Sequence, residues 1–205
     1  MEKDSKYKLS FTGASLRLYE SVKVAKAALD QGITDLKKIR LDGIVFSSVK
    51  VKTAITEFRE IRYRLETLNP QQLDILIHGD LISQKQIAFL AVCKYYSFIR
   101  DFVIEVIRDK TLVFDYKINE SDFRTFVNSK MSNHPELETY TEKTLQKARQ
   151  VIFRILEQAG IINNSIDKII QPQLLQPSVI RAIVEDDPGM LRIFLYSDRD
   201  INDIK

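Results

Sequence analysis

The segment TYTEKTLQKARQVIFRILEQAGII, residues 139–162, decides the fold. Between Lys143 and Arg154 every charged side chain is basic. On a helical wheel, Leu145, Ala148, Ile152, Ile155, Leu156 and Ala159 share one arc of about 100°, the width of a core-facing stripe. Lys143, Lys147, Gln150 and Arg154 fall on the opposite side, with Thr144 next to the first of them. The spacing predicts one helix with a dry seam and a basic outer face. Thr139 and Glu142 have the spacing of a capping box, so Thr139 is the expected N-cap. Gly160 supplies the left-handed residue that ends a helix, and Ile161-Ile162 open a non-helical segment.

The neighbouring segments turn this helix into a unit. Residues 121–131 read as a shorter helix with Phe123, Phe126 and Val127 inward, and Asn133-His134-Pro135 breaks it. The order is that of a helix-turn-helix, whose last helix can enter a major groove. After Gly160 the run NNSIDKIIQPQLLQPSVI, residues 163–180, reads as a turn and an extended segment. Asp186-Asp187-Pro188-Gly189 reads as a turn, and MLRIFLYS, residues 190–197, as a strand. A short β wing near the C-terminus is therefore expected.

The first third repeats the arrangement. Helices are predicted over 19–29, over 34–42 with Thr34 as cap and Gly43 as stop, and over 48–68. In the last of these, Val51, Ala54, Ile55, Phe58, Ile61, Leu65 and Leu68 keep helical spacing. Lys52, Thr56, Arg59 and Tyr63 lie opposite, Thr53 flanks them, and Lys50 sits near the helix start. Lysine and arginine release counterions from phosphates, while threonine and tyrosine can bond phosphate oxygens. Glu57 and Glu60 interrupt the basic character. Asn69-Pro70 restarts the chain as N-cap and first helical residue, and Gly79 closes that helix. Ser83–Arg108 is predicted as one long apolar helix at the centre, with Cys93 in the core.

The fold class that follows is mainly α: a compact helical bundle with two helix-turn-helix-like units. The expected division is an N-terminal unit over 1–69, a central core over 70–118 and a C-terminal unit over 119–205. The 205 residues suffice for an ample core. The net charge is only +3, but residues 1–66 hold 14 basic and 9 acidic side chains. Such a local positive field suits a polyanion. One cysteine excludes an internal disulfide framework and fits a reducing cytoplasm. No secretory apolar run follows Met1. The longest uncharged run, residues 169–180, contains two prolines and falls short of the roughly 20 apolar residues of a spanning helix.

Catalytic patterns are missing. Six glycines form no phosphate-cradling loop, and His78 and His134 stand far apart with one cysteine, so neither a metal site nor a hydrolase constellation is expected. Acidic-x-Lys triplets occur at Asp35–Lys37 and Asp115–Lys117, as chance allows in a chain this charged. No cofactor, metal or small-molecule substrate is expected.

LSFTGASLRLYESVKVAKAAL (9–29), SVKVKTAITEFREIRYRLETL (48–68) and QIAFLAVCKYYSFIRDFVIEVIRDK (86–110) resemble the BrxA family of BREX bacteriophage-exclusion systems. TLQKARQVIFRILEQAGII (144–162) and LRIFLYSD (191–198) fit the same resemblance, which spans nearly the whole chain. The resemblance implies an α-helical, cytoplasmic, non-enzymatic protein that binds double-stranded DNA beside other BREX proteins, with a fold likened to NusB. The residues expected at the nucleic acid are Lys50, Lys52, Thr53, Thr56, Arg59, Tyr63, Lys143, Thr144, Lys147, Gln150 and Arg154. Two other readings stay open: a protein–protein adaptor of the defence complex, and NusB-like RNA binding.

Overall fold

The computed structural model describes residues 6–33, 35–39 and 51–204, and of Val51 and Lys52 the backbone alone. The helices are α1 (Leu18–Asp30), α2 (Val51–Leu65), α3 (Pro70–His78), α4 (Leu81–Tyr95), α5 (Ser97–Phe102), α6 (Asp109–Leu112), α7 (Glu120–Lys130), α8 (Glu142–Ala159), α9 (Pro177–Val184) and α10 (Asp198–Ile204). The expected helix over 34–42 is seen only in part, as a 3-10 turn at Leu36–Lys38 capped by Asp35. Its proposed ends, Thr34 and Gly43, lie outside the described residues, as does Ser48.

The middle of the chain forms the hub. In α4 the residues from Ile87 to Cys93 are all buried, as befits a helix that is apolar on every side. It touches α1, α2, α3, α5, α8 and α9. Burial also pushes the Cys93 thiol well above its ordinary pKa. The long helix expected over 83–108 is interrupted. Tyr96 is extended at φ −107°, ψ 91°, and α5 continues into a π-helical stretch over Val103–Arg108. The break carries the Tyr96 phenol to the buried Glu60 carboxylate and lays its ring 5.3 Å from the Arg64 guanidinium. Asn69 and Gln72 form a reciprocal capping box at α3, with Pro70 in its first turn.

The face that α2 buries differs from the apolar arc of the sequence. Ile61, Leu65 and Leu68 are inside, but Ile55 is 56% exposed. Glu57, Glu60 and Arg64 are buried instead. Each has a partner in the segment before α1. Arg64 donates to the carbonyls of Ser15 (2.6 Å), Ala14 (2.7 Å) and Leu16 (3.4 Å). Glu60 accepts from the Ser10 hydroxyl at 3.0 Å, and Glu57 pairs with Arg17. Buried charge is tolerable only when paired in this way.

No strand occurs among the described residues, so the expected β wing is replaced. Residues 162–170 make only isolated bridges, Lys117 with Ile169 and Ile162 with Ile170. The proposed strand is a 3-10 helix, Pro188–Phe194, capped by Asp187 and ended by Leu195 in the left-handed region. Its buried residues, Met190, Leu191, Ile193 and Phe194, do not alternate, which rules out a half-buried strand. The segment read as extended also ends early, because Pro177 starts α9.

Two polar clusters join distant parts of the chain. Tyr7 stacks on His134 with ring centroids 3.6 Å apart, and it donates its amide to Glu136 (2.6 Å) and its phenol to Asp101 (2.7 Å). Gln72, fully buried on α3, bonds the Ala182 carbonyl and Asp186, while Lys94 reaches Asp186 at 2.7 Å. The Lys94 ammonium holds the Asp186 carboxyl below its usual range.

Two expectations follow. Arg64→Leu strands three carbonyls, so urea unfolding should show a loss of about 3–5 kcal/mol. Asp186, a carboxyl with a depressed pKa, adds stability above the unfolded carboxylate range near about 4, and that stability is lost as pH falls through its lower folded value. Asp186→Asn should therefore lower the neutral-pH urea midpoint and flatten its decline on acidification.

Candidate nucleic-acid interface

The site is built on α8. Its N-cap is Thr141, whose hydroxyl accepts from the Thr144 amide at 3.2 Å. Thr139, the expected cap, instead closes the preceding 3-10 turn by donating to the Glu136 carbonyl. Gly160 ends the helix at φ 80°. Ala148, Ile152, Phe153, Ile155 and Leu156 are buried, with Leu145 and Ala159 half-buried.

Opposite this seam, Lys143, Lys147, Gln150 and Arg154 are exposed. None has a hydrogen-bond or ion-pair partner among the described residues. From Lys143 to Arg154 the face runs about 16 Å along the helix. Thr144 is not part of it: it is half-buried, and its hydroxyl lies 2.9 Å from that of Thr141. Arg149, also on α8, is held by Glu120 of α7.

The N-terminal stripe is less open. Thr53 and Arg59 are exposed, with Arg59 3.8 Å from the buried Glu60. Tyr63 is half-buried, stacked on Tyr95 at 5.3 Å and covered by Arg62 at 4.8 Å. Thr56 is half-buried, and its methyl lies 3.7 Å from where a side chain on Gly13 would begin. Lys50 and the side chain of Lys52 lie outside the described residues.

One segment touches both of the helices that carry the stripes. The 3-10 turn Ser10–Gly13 touches both α2 and α8. A concavity of 270 Å³ opens between the segment Thr12–Arg17 and the outer face of α8, with Lys147, Gln150 and Arg154 along one wall. The Leu16 amide donates to Gln158 Oε1 at 3.0 Å, fixing the segment to α8. Sequence reasoning missed Thr12, Gly13 and Ser15. The signal available was TGAS, residues 12–15, a run of small residues just ahead of a helix.

Other chemistry is scarce. Among the described residues no group of three or more histidine, cysteine or acidic side chains could hold a metal ion. No described helix is long and apolar enough to cross a membrane.

Fold and site together define a mainly helical protein with a cationic helix face, unpaired among the described residues, beside a small concavity. The BrxA family model matches residues 5–187, and the chain belongs to that family. It is 27% identical over 130 residues to the BREX protein BrxA of Escherichia coli O9:H4 (strain HS), covering 62% of this chain and 61% of that one. To the BREX protein BrxA of Bacillus cereus (strain H3081.97) it is 27% identical over 121 residues, 58% and 60% of the two chains. The matches thus span about three-fifths of both relatives. The fold is that of a crystal structure of an uncharacterized protein from Magnetospirillum magneticum, with TM-score 0.78, 22% identity and 93% and 98% coverage.

The two faces of α8 should respond oppositely to truncation. Leu156→Ala should destabilise by about 2–5 kcal/mol in urea unfolding, and Lys147→Ala by no more than about 0.5 kcal/mol.

Proposed function

We propose that this chain is a non-enzymatic, double-stranded-DNA-binding component of a bacterial BREX phage-defence system, acting in the cytoplasm beside other BREX proteins. The observation that carries the reading is the outer face of α8, where Lys143, Lys147 and Arg154 stand exposed with no carboxylate partner among the described residues. The row is set apart by its alignment: no acidic residue stands between Lys143 and Arg154 along α8, and Arg149, off the row, is held by Glu120. A row left uncompensated is available to phosphates, and release of their counterions drives association. Thr53, Thr56 and Arg59 extend the proposed contact on the α2 side, with Lys50 and Lys52. Gln150 and Arg154 are the side chains of the α8 row whose planar end groups can read a base edge by paired hydrogen bonds, adenine and guanine respectively. Contact is therefore mainly to the backbone and weakly selective for sequence.

A duplex is favoured over a single strand by the aromatic residues. Phe98, Phe102, Phe123 and Phe126 meet edge to face inside the core, which leaves no platform of rings for unpaired bases along α8. A second reading, an adaptor for other BREX proteins, has one specific observation in its favour. The turn after α6 presents Val113 and Phe114 at 71% and 80% exposure, with Phe114 in the left-handed region at φ 60°.

Mobility-shift titrations with duplex DNA, duplex RNA and single strands at several salt concentrations test the proposal. For about five neutralised phosphates, log K should fall against log salt with a slope between about −4 and −5. Replacing Lys143, Lys147 and Arg154 together by alanine should weaken duplex binding and make the slope shallower by roughly 0.9 for each phosphate no longer neutralised. Unchanged affinity in this variant would sink the α8 assignment in favour of the adaptor, and tighter binding of RNA would favour the NusB-like reading.

A further inference from the structure

We infer that the segment Thr12–Ser15 is a phosphodiester-binding subsite, a docking point for one backbone phosphate that the neutral groups of the turn hold in place. The inference rests on the α8 face being the nucleic-acid surface and adds a second set of donors, from another part of the chain.

The hydrogen bonds of the segment are divided by side. On the buried side, Arg64 takes the carbonyls of Ala14, Ser15 and Leu16, so these acceptors are spent. Among the residues that line the concavity, donors remain. The Ser15 amide, the Ser15 hydroxyl and the Thr12 hydroxyl have no hydrogen-bond partner among the described residues. Lys147, Gln150 and Arg154 bring further donors to the same concavity, also without partners among those residues. The nearby carboxylates are already engaged: Arg17 pairs with Glu57 and stands 3.5 Å from Glu20. A hollow with these unspent donors and two cations uncompensated among the described residues favours an anion. Its 270 Å³ is a small space, suited to a single phosphate group rather than a nucleotide.

Gly13 is consistent with this use. It is exposed, and its φ lies outside the left-handed region. A side chain there would make only ordinary contact, with the Thr56 methyl at 3.7 Å. Neither backbone conformation nor packing therefore calls for glycine. Close approach of a ligand to the main chain does.

The subsite is held rigidly. Arg64 beneath it, Glu60 on Ser10, Glu57 on Arg17 and Gln158 on Leu16 fix the segment from both ends. A donor array fixed before binding loses little entropy when the phosphate arrives.

Neutral and charged contacts leave different marks on binding, which allows a test. The double variant Thr12→Val with Ser15→Ala removes two hydroxyl donors and no charge. Against a duplex of about 20 base pairs its affinity should fall by about tenfold at every salt concentration, with the salt slope unchanged. Lys147→Ala with Arg154→Ala should instead make the slope shallower by about 1.8. Gly13→Asp places a carboxylate at the mouth of the concavity and should weaken binding by more than about tenfold. Thermal melts accompany each variant, and Gly13→Asp decides the matter if the double hydroxyl variant melts early. If both turn variants bind as the parent does while the Lys147/Arg154 variant is weakened, the subsite is refuted and the α8 surface stands. If all of them bind as the parent does, both readings are overturned.

Discussion

The Arg64 guanidinium is the constraint on which the rest of the molecule depends. It is buried on α2 and spans the carbonyls of three successive residues ahead of α1. An extended segment in a helical protein has no ladder to satisfy its backbone, and an unpaired buried carbonyl is costly. One planar cation with five donors answers several such carbonyls at once, which lysine could not do. Glu60 and Glu57 complete the arrangement by holding Ser10 and Arg17. Three charged side chains on one helix thus fix the path of residues 10–17, and that path brings one turn into contact with both α2 and α8.

The same logic explains why α4 breaks at Tyr96. A continuous helix would keep the phenol on the helix surface. The extended residue turns it toward Glu60, whose charge would otherwise be shared between Ser10 and Arg59 alone. Burial, with the Glu60 carboxylate beside it, keeps this phenol protonated far above its ordinary range despite the opposing influence of Arg64. Tyr96 therefore acts as a permanent donor. The polar centre of the fold is satisfied at the expense of helix continuity.

α8 joins the two levels of organisation. Its apolar seam enters the core that α4 organises, and its opposite face keeps its cations unpaired among the described residues. Because the two faces are separated by half the helix circumference, charge on one has little bearing on packing at the other. Membership of the BrxA family accounts for the helical framework that carries both faces. The donors of the Thr12–Ser15 segment that are unpaired among the described residues sit on a segment whose carbonyls Arg64 holds.

Periodicity alone determined α8, its buried and exposed faces, the αL stop at Gly160 and the cap at Asn69, because each depends on neighbours within a turn or two of the chain. It also determined that α4 is central, since a helix apolar on all sides has only one place to go. It failed at α2, where the apolar arc placed Glu57 and Glu60 against the basic stripe and Ile55 inside. Burial there is decided by partners some forty to fifty residues away, Arg17, Ser10 and residues 14–16. It failed again at residues 190–197, where β-rich composition suggested a strand although no neighbouring strand among the described residues was there to pair with it. Hydrophobic spacing reports which residues can be buried. Which charged residues are buried, and which donors stay unspent, is decided only when the chain brings distant groups within hydrogen-bond reach.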